Sequence, residues 1–118
     1  MPMLIYHNPR CSKSRKTLQL IEASGVSPRI IRYLDEPPGG DRIVQLAGLM
    51  GVPVRALMRG NEAVVKDAQD LPALDDDAAL ADWIARNPQA LERPIVVSDD
   101  GQRAIIGRPP ENVEALLT

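Results

Sequence analysis

A chain of 118 residues, 44% of them hydrophobic, is long enough to bury an ordinary core and is expected to form a single domain over residues 1–118. Its formal net charge of −2 lacks the basic excess that a nucleic-acid partner requires, and with no Phe, one Trp and two Tyr it offers no base-stacking platform. A single Cys excludes an internal disulfide and any multi-cysteine zinc site, so no metal is expected.

The first third reads as strand, helix, strand. Met3-Leu4-Ile5-Tyr6 is a short apolar run stopped by Asn8-Pro9, a turn signal. From Ser12 onward, Ser14, Leu18 and Ile21 recur at spacings of four and three, which places them on one helix face, and Gly25 supplies the stop. Pro28 then introduces the β-branched run from Arg29 to Leu34. Two strands joined by such a helix are most simply parallel, in a right-handed βαβ unit.

Asp35-Glu36-Pro37-Pro38-Gly39-Gly40-Asp41 can continue neither strand nor helix and reads as a loop. It opens a helical insert at about 41–90. Ile43, Leu46, Ala47 and Met50 form one apolar stripe ended by Gly51, and Pro53 is placed as the first-turn proline of a short helix through Arg59. Residues 60–74 read mostly as loop. Asp75, Asp76 and Asp77 are N-cap candidates for a helix from Ala78 to Asn87, which Pro88 terminates.

The last third changes character. Ile95-Val96-Val97 reads as a strand, Asp100-Gly101 as a tight turn, and Arg103 to Ile106 as its antiparallel return. Gly107-Arg108-Pro109-Pro110 leads into a final helix from Glu111 to Leu117. The order is β-α-β, a helical insert, then β-β-α. A four-stranded mixed α/β sheet with helices on both faces accommodates it, as in the thioredoxin-like (glutaredoxin-like) fold, where a reactive cysteine opens the first helix.

Cys11 falls in that place. A helix N-terminus presents unpaired N–H groups and the positive end of the dipole, which favour thiolate over thiol. Arg10, Lys13 and Arg15 add positive charge if they face inward, and His7, the one histidine, lies four residues upstream. The alternative is a small buried structural thiol, but such cysteines are rarely set among cations in an anion-binding turn. Cys11-Ser12-Lys13-Ser14 is C-x-x-S, so an outside thiol must resolve whatever Cys11 forms. Thr17 stands where a C-x5-R phosphatase carries arginine, which disfavours that chemistry. The helix start is also an anion site, to which Arg59, Arg93 and Arg108 could contribute. Arg93-Pro94, just before the third strand, falls where thioredoxin-like folds keep a cis-proline.

Taken together, "YHNPRCSKSRKTL", "YLDEPP", "VRALMRGNE", "NPQALERPIVV" and "IGRPPENV" occur in the order found in the glutaredoxin-coupled, ArsC-like arsenate reductases, and the chain resembles that family over nearly its whole length. The resemblance implies that Cys11 attacks arsenate to give a thiol–arsenate adduct, that glutathione displaces it, and that glutaredoxin reduces the mixed species and arsenite leaves. It implies Arg59, Arg93 and Arg108 as the oxyanion-stabilising triad and His7 as an aid to Cys11 ionisation. Arg10, Ser14, Arg15 and Pro94 would line the substrate loop. Glutathione is then a co-substrate, with no bound cofactor, and glutaredoxin a partner. With no secretory leader, no membrane span and a free thiol, the cytoplasm is the expected compartment. Two other readings fit less well: a monothiol reductase of another thiol or disulfide substrate, for which the arginine triad is superfluous, and an Spx-like regulator binding RNA polymerase, which usually carries C-x-x-C.

Overall fold

The computed structural model describes residues 2–117. Four strands, β1 (Leu4–His7), β2 (Arg29–Arg32), β3 (Ile95–Val97) and β4 (Ala104–Ile106), form one sheet in the order β2-β1-β3-β4. β1 runs parallel to β2 and antiparallel to β3, and β3 is antiparallel to β4. The mixed sheet with the βαβ unit first and the hairpin last is the thioredoxin-like arrangement.

Helix α1 (Ser12–Ala23) packs with the C-terminal 3-10 helix (Pro110–Leu116) on one sheet face. Met3, Ile5, Ile21, Val96, Val113 and Leu116 make the core there, flanked by Leu18, Val26 and Ile105. Alternation along the strands sends Tyr6, Ile95 and Val97 to the other face, and these are buried too. The face that α1 turns inward carries two hydroxyls, because Ser14 and Thr17 are fully buried beside Ile21.

The chain divides into two compact units: one runs to Glu36 and resumes at Arg93, and the other is Pro37–Glu92. In the second unit α2 (Gly40–Met50) packs on α4 (Asp77–Arg86), and both meet the 3-10 helix Val54–Leu57. Gly51 closes α2 at φ 69°, a left-handed conformation that a side chain would strain. Asp76 caps α4, its carboxylate accepting from the Ala79 N–H at 3.2 Å. Trp83, 1% exposed, donates its indole N–H to Asp70 at 3.0 Å.

Several boundaries differ from the sequence reading, each for a local reason. The final helix is 3-10 rather than α, and its buried residues Pro110, Val113 and Leu116 recur at every third position, the 3-10 period. Val54–Leu57 is also 3-10, ends before Met58, and has Pro53 as its cap rather than in its first turn. A single α turn, α3 (Ala63–Lys66), interrupts the 60–74 loop. β2 stops at Arg32, whose carbonyl is claimed by the N–H groups of Asp35 and Glu36 in a turn.

Candidate active site

The loop between β1 and α1 is tied from within the helix it precedes. The Ser14 hydroxyl accepts from the Asn8 N–H at 3.0 Å and meets His7 Nδ1 at 2.6 Å. With one lone pair engaged by Asn8, the hydroxyl keeps both its proton and a second lone pair for His7 Nδ1, so it can pair with either neutral tautomer of the ring. Asn8 does more: its carbonyl accepts from the Cys11 N–H at 3.0 Å, and its side chain accepts from the Arg10 N–H at 3.0 Å. Arg15 Nη1 donates to the Pro9 carbonyl at 2.9 Å. Residues 8–11 are thereby held by backbone and side-chain bonds at every step.

Cys11 is the N-cap residue of α1, extended at φ −91° and ψ 121°, and half-buried. No side chain makes a capping hydrogen bond of ordinary geometry there, and the first turn holds no acidic residue. The sulfur instead lies in the field of the Ser14 and Lys13 N–H groups. Burial pushes the thiol up, but those two donors, then the hydrogen bond and charge of the Arg93 guanidinium, outweigh it and bring Cys11 below the ordinary thiol range.

Arg93 is half-buried, and its bond to Pro94 is cis, as is Arg108–Pro109. The two loops meet through Gly107. Its N–H donates to the Pro94 carbonyl at 2.8 Å, and its carbonyl accepts from Thr17 Oγ1 on α1 at 3.4 Å. A Cβ at Gly107 would stand 2.7 Å from Thr17 Oγ1 and 2.8 Å from Pro94 Cγ, so no larger residue fits. Arg108 follows directly, half-buried, its carbonyl accepting from Asn112 at 3.1 Å. Pro109, Pro110 and Glu111 line an open depression of about 350 Å³ with Ser12, Lys13 and Lys16.

The structure thus brings Cys11, Ser14 and Arg93 together, with Pro94 one residue from Arg93. His7 is placed otherwise. It is buried, and burial followed by the charges of Arg32 and Arg15 lowers its pKa, so it is a neutral ring bonded to Ser14. Its contribution runs through the loop, and the charge acting on the sulfur is that of Arg93. Arg10 is exposed, and the Arg15 guanidinium is turned to the Pro9 carbonyl. Arg59 belongs to the Pro37–Glu92 unit, where Glu62 at 2.6 Å and Glu92 at 3.6 Å engage its guanidinium.

Asn8 was legible only as a turn former, although it is the hub of the loop. The N–H donors of Lys13 and Ser14 follow from any helix start and carry no residue-type signal. Among the described residues no group of three or more His, Cys, Asp or Glu could hold a metal, and no helix is long and apolar enough to cross a membrane.

The ArsC family model matches residues 6–116. An arsenate reductase of Neisseria meningitidis serogroup A is 43% identical over 115 residues, covering 96% of each chain. One from Escherichia coli K12 is 43% identical over 116 residues, 96% of this chain and 79% of that one. Among solved structures, the arsenate reductase from Vibrio cholerae matches with a TM-score of 0.86 at 40% identity, over 98% of both chains. A lone N-cap cysteine in this fold, and a likeness that runs through the whole thiol loop to the last helix, place the chain in the ArsC family.

Proposed function

We propose that this protein is an oxidoreductase that reduces arsenate to arsenite with Cys11 as nucleophile. The observation that carries the reading is the Cys11 sulfur at the start of α1, its pKa lowered against burial by the Ser14 and Lys13 N–H groups and by Arg93. A thiolate held there attacks an electrophilic oxyanion centre, and the same donors face the charge that builds on its oxygens. Attack forms an As–S bond and expels one arsenate oxygen, which takes up protons and leaves as water.

Arsenic must then gain two electrons. Cys11 is the one cysteine in the chain, so it cannot supply them by closing an internal disulfide. The glutathione thiolate attacks Cys11 Sγ, the As–S bond breaks with its electron pair on arsenic so that arsenite departs, and glutaredoxin then reduces the Cys11–glutathione mixed disulfide. This requirement for external thiols suits the reducing cytoplasm, where we place the protein. Arg93 and Arg108 are the proposed oxyanion ligands from the unit that holds Cys11. Arg59 joins them on the strength of the family resemblance.

The test is arsenate-dependent NADPH consumption with glutathione, glutaredoxin and glutathione reductase supplied. Wild type is expected to turn over and Cys11→Ser to be inactive. Absence of an arsenate signal, with the coupling enzymes active on a control disulfide, refutes the substrate assignment.

A further inference from the structure

Beyond the carboxyl ends of β1 and β2 lies a cavity of about 310 Å³, small among ligand pockets. Crevices at the carboxyl ends of parallel strands are where open α/β sheets bind ligands. One wall is the loop that follows β1, with His7, Pro9 and Arg10, which leads directly into Cys11. The other follows β2, with Arg32, Leu34 and Asp35.

The lining has a definite charge pattern. His7 and Arg32 are register partners in the parallel ladder, so their side chains leave the sheet on one face. The turn bonded from the Asp35 N–H to the Arg32 carbonyl at 3.0 Å brings the chain back on itself, and both residues line the cavity. Among the described residues neither Arg10, Arg32 nor Asp35 forms an ion pair, although opposite charges share this one cavity. Leu34 adds an apolar surface, 42% exposed, at the same place. One negative and two positive groups lining one cavity with an apolar side chain complement a molecule carrying an α-carboxylate and an α-ammonium on one carbon and a second carboxylate further off.

Building on the arsenate-reductase reading, we propose that this cavity is the binding site of the thiol co-substrate. The γ-glutamyl head of a tripeptide thiol sits there, its α-carboxylate on Arg32 and its ammonium on Asp35. Arg10 takes the far carboxylate, and the thiol is delivered toward Cys11. The Arg32 charge is felt inside the pocket, since it is the largest electrostatic influence on His7 after burial. None of the groups that act on the Cys11 sulfur belongs to the cavity, so thiol binding and thiolate activation are separable by mutation.

The experiment is titration of the 118-residue protein with S-methylglutathione, which has no free thiol to react, followed by NMR. Wild type is expected to bind. Arg32→Ala and Asp35→Asn are expected to weaken binding by about fivefold to tenfold each, the loss of one charge-assisted contact at an exposed site. N-acetylation of the glutamyl amine should weaken binding to wild type and have little further effect on Asp35→Asn. Steady-state kinetics should show a raised KM for glutathione in both variants, with the KM for arsenate and the Cys11 alkylation rate unchanged. No binding to wild type, or equal binding to wild type and both variants, overturns the proposal. Arg32-dependent binding in a protein that fails to turn over arsenate would keep the subsite and remove the substrate assignment instead.

Discussion

Replacing Ser14 by Ala removes one oxygen, yet the structure assigns a large cost to it. Ser14 is fully buried and its hydroxyl serves two other buried groups, the Asn8 N–H at 3.0 Å and His7 Nδ1 at 2.6 Å. The alanine side chain answers neither. A buried polar group left without its partner costs about 1–3 kcal/mol, and two are stranded here. Against this, alanine is the better helix former by a few tenths of a kcal/mol. The net expectation is a loss of about 2–4 kcal/mol, a large part of the stability of a domain this size. That corresponds to a fall in Tm of roughly 8–15 °C.

Circular dichroism during urea and thermal unfolding reads the loss, with Ser12→Ala as control. Ser12 is exposed, its side chain makes no hydrogen bond among the described residues, and its replacement should change stability by no more than about 0.5 kcal/mol. If Ser14→Ala matches Ser12→Ala, the hydroxyl does not tie His7 to Asn8 and the account of the loop fails. A subtler consequence lies in the chemistry. Asn8 holds the Cys11 N–H through its carbonyl, so a loosened Asn8 lets the thiol drift from its N–H donors. Slower alkylation of Cys11 at neutral pH should accompany the lost stability.

His7 is buried neutral, its pKa lowered first by burial and then by Arg32 and Arg15. Between its folded pKa and the ordinary value near 6.5 the unfolded chain binds the extra proton, so its contribution is full above that value and lost as pH falls below it. Denaturant titrations from pH 7.5 downward should show this decline in wild type and a shallower one in His7→Gln; equal slopes would contradict the buried neutral ring. Gly107→Ala puts a methyl within 2.7 Å of Thr17 Oγ1 and 2.8 Å of Pro94 Cγ. It should cost about 1–3 kcal/mol by overpacking, measured by urea midpoint, and lower turnover by displacing Pro94 and with it Arg93. Stability and turnover both at wild-type level would refute that packing.

The strands and α1 were readable because their burial follows one strong signal each. Ile5, Ile95, Val96 and Val97 are apolar runs between turn formers, and α1 is bounded by Asn8-Pro9 and Gly25. What misled was helix type. Val54 and Leu57, like Pro110, Val113 and Leu116, repeat at exact threes, a spacing shared by both helix types over so short a run. At the site, Cys11 was visible from its place in the order of elements. The task of His7 was not, because a ring four residues from a thiol looks like its partner until the loop's fold turns it toward Ser14. Ser14 was read as a position on one helix face with Leu18 and Ile21 and through family likeness, whereas the burial of its hydroxyl between two polar partners is a tertiary fact.

Activation of Cys11 rests mainly on backbone, which no side-chain substitution removes, and this allows the two tasks of Arg93 to be separated. Arg93 lowers the thiol pKa through a hydrogen bond and through charge, but stands behind the Ser14 and Lys13 N–H groups in effect. Arg93→Ala should therefore raise the alkylation midpoint toward the ordinary thiol range. Because Cys11 is the one cysteine, the alkylation profile reports it alone. Arg93→Lys keeps a positive charge and should hold the midpoint nearer wild type. Oxyanion stabilisation is a different demand: a planar fork binds two oxygens at once, and an ammonium does not reproduce it. Loss of such a donor costs about 2–4 kcal/mol of barrier, so arsenate turnover should fall roughly thirtyfold to a thousandfold in Arg93→Ala and substantially in Arg93→Lys. A lysine variant with wild-type turnover would mean that Arg93 supplies only charge. An alanine variant whose midpoint stays at the wild-type value would mean that Arg93 does not act on the thiol, and its part in activating the nucleophile would have to be abandoned.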